Sequence, residues 1–197
     1  QAIQNGIQMS LAGGATTVGD IHGFAQMFGG SLALPLKDSP IRKVVFFETM
    51  GFSPERSQLG ISRINGRLES APEPDALFTP AVSPHAPYST SATLYRHSLE
   101  IAQSRGLHLC THLSETQEEI EFLASGTGEF AELLNRLHIP MEGWTPPGVT
   151  PVQYMKNLGV LAVQPLFAHC NYLTDKDIRL LAESGASVAF CPRSHYY

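Results

Sequence analysis

The chain has 197 residues, 43% of them hydrophobic and 16% charged, which suits a sizeable core and argues against disorder. Its formal net charge of −5 at pH 7 argues against a nucleic-acid surface or an anionic membrane as partner. No apolar run approaches the roughly 20 residues of a membrane span, and the N-terminal QAIQNGIQMS carries no signal-peptide pattern.

In chain order, ATTVGD at 15–20 reads as a first strand and KVVFFET at 43–49 as a second. Segment 51–77, with Pro54, Pro72 and Pro74, reads as a long loop. FTPAVS at 78–83 is a third strand, followed by a helical STSATLYRHSLEIAQSRG that ends at Gly106. LHLCTH at 107–112 is a fourth strand, and ETQEEIEFLASG a helix ending near Gly126. Residues 140–149, with Pro140, Pro146 and Pro147, read as a second long loop. TPVQYMKNLG places Thr150 as a cap and Pro151 at the first helical position. VQPLFAH at 163–169 is a fifth strand. In TDKDIRLLAESG, Thr174 and Asp177 form a capping-box pattern and Gly185 stops the helix. SVAFC at 187–191 is a sixth strand.

The strands are continuously apolar, as parallel strands covered on both faces are. Alternating with helices, they predict an α/β fold with right-handed crossovers. A doubly wound sheet and an arc of a (β/α)8 barrel both fit. GGATTVGD lacks the GxGxxG order of a dinucleotide loop, its paired glycines preceding the strand. A complete barrel needs roughly 250 residues, so this chain accounts for about six of eight units. Cys110, Cys170 and Cys191 form no CxxC; with no secretory signal they suggest reduced thiols in the cytoplasm, packed as small hydrophobes.

Parallel α/β folds gather reacting groups at the carboxyl ends of their strands. Here those ends bring Asp20 and His22, Glu48, His85 after Ser83 and Pro84, His112 with Glu115, His169, and His195 in CPRSH. One histidine beside one glutamate reads more readily as a satisfied core residue and a solvated carboxylate than as a metal site. Four of these histidines, His85, His112, His169 and His195, fall at or just past consecutive strand ends, and with Glu115 they point to a metal-centred site. Neutral imidazole suits a borderline divalent ion such as zinc, with iron or manganese as alternatives. Such an ion lowers the pKa of water towards neutrality, and a nearby carboxylate can carry the proton. No G-x-S-x-G elbow, HExxH helix or H-x-E…P-C-x-x-C pattern competes.

GATTVGD, SPHAPYS, THLSET, AHCNYLTD and SVAFCPRSH, in this order, resemble the amidohydrolase superfamily of metal-dependent (β/α)8-barrel enzymes. They look like its branch of deaminases and chlorohydrolases acting on nitrogen heterocycles and nucleosides. HLSETQEEIEFLASGTGEFAELL with CPRSHYY leans towards the aminodeoxyfutalosine-deaminase-like subgroup, beside S-adenosylhomocysteine and guanine deaminases. The resemblance implies that His112 is a metal ligand and Glu115 the acid/base between water and departing amine. It implies that His169 orients water or substrate and is a metal ligand in binuclear relatives. His85 would contact substrate, with Ser194 and His195 lining the pocket. Glu48 is left equally as a substrate partner or a salt-bridged structural carboxylate, and Asp20 and His22 as structural. His97, His108 and His138 are ordinary.

The family's HxH pair after strand one occurs nowhere here, and its strand-eight aspartate and terminal β-sandwich are not represented. Together with a first residue other than methionine, this predicts part of a longer protein: strands two to seven of the barrel, with poor zinc retention, no activity alone and two apolar edges open to association. The implied activity of the parent is hydrolytic deamination of a purine-like N-heterocycle or nucleoside. Dechlorination or other C–N hydrolysis is one alternative, and a non-catalytic structural module another. A homodimer is left open, and the substrate is expected to be set by 51–77 and 140–149.

Overall fold

The structure is a computed structural model and describes residues 2–23 and 38–193. Helix α1 (Ala2–Ala12) leads into β1 (Thr17–His22). β2 (Arg42–Thr49), α2 (Pro54–Glu69), β3 (Phe78–Pro84), α3 (Ala92–Arg105) and β4 (Cys110–Leu113) follow. Then come α4 (Gln117–Ser125), α5 (Glu129–Arg136), α6 (Pro151–Asn157) and a 3-10 turn (Val160–Val163). β5 (Leu166–His169), α7 (Asp175–Ser184) and β6 (Ser187–Ala189) complete the described chain.

All six expected strands form, and every pairing is parallel. They run β1-β2-β3 and β4-β5-β6. The two sheets meet at a parallel bridge between Val82 and Leu109. Val82 N donates to His108 O there (3.0 Å), and His112 N donates to His85 O (2.8 Å). A doubly wound sheet reverses its order at a switch point. This order never reverses, which fits the arc of a barrel.

The pleat explains the apolar runs. One face of the strands, including Val45, Phe47, Val82, Leu109, Leu113 and Phe167, packs on the helices through Ile64, Tyr95, Met155 and Leu181. The other face puts Phe46, Ala81 and Cys110 with Ile21, Val44 and Leu166 in a second layer. Side chains alternate between the faces, so the central strands are apolar on both.

The main correction concerns 51–77. Residues 54–69 form α2, not loop: Ser53 accepts from Arg56 N (3.4 Å) as N-cap, and Pro54 sits in the first turn, where its missing N–H costs nothing. Ser57, Gly60, Ile64 and Leu68 bury one face. Gly60 lets the helix approach closely, since a Cβ there would stand 2.7 Å from Leu94 Cδ2. The stretch around Pro72 and Pro74 is irregular, as are the residues just before Pro54. The 140–149 loop is irregular as expected. Helices α1 and α5 and the 3-10 turn were not anticipated, and β4 starts at Cys110 rather than Leu107. The capping box at Thr174 and Asp177 is present.

Candidate active site

The layer of Phe46, Ala81 and Cys110 closes the inner face from below. Two residues further along the same strands, the pleat presents Glu48, Ser83 and His112 on that face. His85 follows β3 by another two positions and is tied to His112 through the main-chain bond across the sheets. His169 breaks the alternation. It pairs with Leu113, whose side chain belongs to the helix-facing core, so a regular pleat would send it outward. Its φ of 75° takes it out of strand geometry, and its ring meets His112 instead.

The resulting cluster is tight. His112 Nδ1 lies 3.1 Å from His169 Nε2, and Glu115 Oε1 lies 3.3 Å from that same His169 nitrogen. Glu48 Oε1 is 3.8 Å from His112 Nε2. The His85 and His112 rings are 5.0 Å apart. His85 Nδ1 shares a 2.6 Å hydrogen bond with Ser89 Oγ, which fixes the ring. Burial lowers the pKa of His85, and Glu48 opposes the shift. His169 is also lowered, first by burial, with Glu115 opposing and His112 assisting. Both histidines are thereby biased to the neutral form that binds metals.

Two sets of donor atoms converge within 4.8 Å: Glu48, His85 and His112, and His112, Glu115 and His169. Two nitrogens each about 2.0–2.1 Å from a tetrahedral zinc stand about 3.3 Å apart. The 3.1 Å separation of the His112 and His169 nitrogens is close to that spacing. The donor set fits a divalent metal.

The other sequence candidates separate cleanly. Glu48 enters the cluster, while Arg67 donates to its main-chain oxygen (2.7 Å) rather than to its carboxylate. Asp20 pairs with His22 at 3.4 Å, and His22 meets Phe47 edge-on, as structural residues do. His97 bonds Asn65, and His108 and His138 are exposed. Ser194 and His195 lie outside the described residues. The cysteines are free, and burial pushes Cys110 and Cys170 up to about 12, fitting inert packing.

Three participants were missed by sequence reasoning. Ser89 orients His85. Glu119, fully buried, accepts from Ser114 N and Glu115 N at 2.9 Å each. Asn171 donates to Glu115 O at 3.0 Å. Of these, only Glu119 left a signal, the T-x-x-E spacing from Thr116.

A match to the amidohydrolase family covers residues 1–197. The chain is 36% identical over 124 residues to an aminodeoxyfutalosine deaminase of Deinococcus radiodurans, covering 59% of this chain and 29% of that protein. It is 28% identical over 193 residues to a 5-methylthioadenosine/S-adenosylhomocysteine deaminase of Aquifex aeolicus, covering 96% and 39%. The crystal structure of Helicobacter pylori aminofutalosine deaminase with methylthio-coformycin superposes with TM-score 0.75 at 23% identity, over 97% of this chain and 45% of that one. The chain thus spans less than half the length of each. With six parallel strands in unbroken order and the histidines gathered at their carboxyl ends, the chain belongs to the amidohydrolase family, with a TIM-barrel-type α/β fold.

Proposed function

We propose that the chain is the strand-two-to-seven part of a metal-dependent aminohydrolase that removes an amino group from a purine-like N-heterocycle or nucleoside. The observation that carries this is the convergence of His112, Glu115 and His169 at the carboxyl ends of neighbouring parallel strands. Two matched relatives are deaminases by name, one of 5-methylthioadenosine and S-adenosylhomocysteine. The longer protein supplies the remaining ligands. The three free cysteines of this chain fit a cytoplasmic setting.

His112 and His169 would hold the ion, zinc by the nature of the donors, with iron or manganese as substitutes. When bound, it supplies Lewis acidity that makes water nucleophilic near neutral pH. Glu115, beside His169, takes the proton of the attacking water and returns it to the leaving amine. Departing ammonia needs that proton and chloride does not, so Glu115 favours deamination over dechlorination. His85, locked by Ser89, offers a neutral imidazole to the ring, and Glu48 offers a carboxylate to a ring N–H.

The test uses the full-length protein with 5-methylthioadenosine as probe, following ammonia release and metal content. Glu115→Gln should lower kcat by about 10²–10⁴-fold, and His112→Ala should strip the metal. Undiminished turnover in Glu115→Gln would sink the assignment. Wild-type protein without divalent metal would favour a non-catalytic module.

A further inference from the structure

The proposed proton carrier sits on an unusual peptide. Ser114, directly before Glu115, has φ 51°, a left-handed conformation disfavoured for a residue with a side chain. Yet all four main-chain polar groups of Ser114 and Glu115 are engaged. Ser114 N and Glu115 N donate to the two carboxylate oxygens of Glu119, each at 2.9 Å. Ser114 O accepts from Asn171 N (3.0 Å) and Tyr172 N (3.2 Å). Glu115 O accepts from Asn171 Nδ2 (3.0 Å). The peptide is gripped from one side by α4 and from the other by the turn after β5.

Helix capping alone does not require this arrangement. Thr116 is the N-cap of α4 and already accepts from Glu119 N. A glutamate at the third helical position ordinarily reaches back to its own N-cap N–H. Glu119 reaches past Thr116 to the two residues before it. It is 0% exposed, and no arginine or lysine among the described residues acts on it; the backbone N–H groups and His112 are what favour its charge. A fully buried carboxylate is costly unless its hydrogen bonds are met, and these bonds are spent on the backbone of Glu115.

We propose that Glu119, with Asn171 opposite, is a positioning residue that fixes the Ser114–Glu115 peptide and so holds the Glu115 carboxylate beside His169 for proton transfer. This rests on the acid–base reading of Glu115. The experiment compares Glu119→Gln, Glu115→Gln, the double variant and Asn171→Ala in full-length, metal-loaded protein with 5-methylthioadenosine. Glutamine keeps the shape but offers one acceptor oxygen where two are needed. Glu119→Gln should lower kcat about ten- to a hundredfold, as a small misplacement of a reacting group does, with KM and metal content little changed. The double variant should match Glu115→Gln alone, because nothing is left to position. The amide resonances of Ser114 and Glu115 should shift in Glu119→Gln, and Asn171→Ala should lower kcat in the same direction. Losses that multiply in the double variant, or a lower Tm with unchanged kcat, would overturn the proposal. If Glu119→Gln does not fold, Asn171→Ala combined with Glu115→Gln makes the same comparison. Wild-type kcat in Glu115→Gln would instead defeat the acid–base reading, and the amide shifts would then report on the clamp alone.

Discussion

Glu119 is an acid in a place that resists its charge, and the consequence is measurable in stability. Burial pushes its carboxyl from 4.5 up to about 7, against the opposing pull of the Glu115 and Ser114 N–H groups. Between those two values the folded chain holds more protons than the unfolded one, so stability falls as pH rises from 4.5 to 7 and levels off above. The shift corresponds to about 3 kcal/mol. Denaturant titrations across this range should show that slope, and Glu119→Gln should flatten it. At this scale the sequence was legible wherever a titratable side chain ended an apolar run. His85, His112, Glu115 and His169 were named for that reason, and they form one cluster. Glu119 and Asn171 were not, because their task is set by main-chain groups that only folding brings near. The turn of His169 onto the inner face, with φ 75°, has no signature in AHCN.

Elements were legible in proportion to their capping chemistry. Thr150 with Pro151, Thr174 with Asp177, and the glycines at 106, 126 and 185 all sit where helices begin or end. α2 was hidden because Pro54 is a loop marker in one context and a first-turn residue in another, and the deciding group, Ser53, is one residue upstream. Asp177 shows how one side chain can serve two elements. Its carboxylate accepts from Thr174 N (3.0 Å) and Thr174 Oγ1 (2.7 Å) at the start of α7, and from Thr150 Oγ1 (2.6 Å) at the cap of α6. Asp177→Ala removes all three bonds from a buried position. The expected loss is about 2–4 kcal/mol, measured by chemical denaturation. Asp177→Asn should lose less, since its oxygen can still accept.

For the molecule as a whole, strand count and direction could be read because a parallel strand covered on both faces has little choice but to be apolar throughout. Strand order could not, since it is written in contacts between units rather than within them. β6 is the exception to the covered strands: Val188 is 46% and the adjoining Phe190 60% exposed, and among the described residues β6 pairs only with β5. An open apolar edge invites pairing with another chain. The isolated 197-residue polypeptide should therefore associate with rising concentration in analytical ultracentrifugation, and Phe190→Lys should weaken that association.

The joint between the two sheets has a different consequence. Between β3 and β4 the ladder narrows to one bridge and the bonds at Val82 and His112. Glu48 and His85 stand on one bank of that seam, and His112, Glu115 and His169 on the other. The banks are nonetheless joined away from the ladder, by Thr111 Oγ1 donating to His85 O at 3.0 Å and by the core that Val82, Tyr95, Leu109 and Leu113 share, so side chains carry across the seam what strand pairing does not.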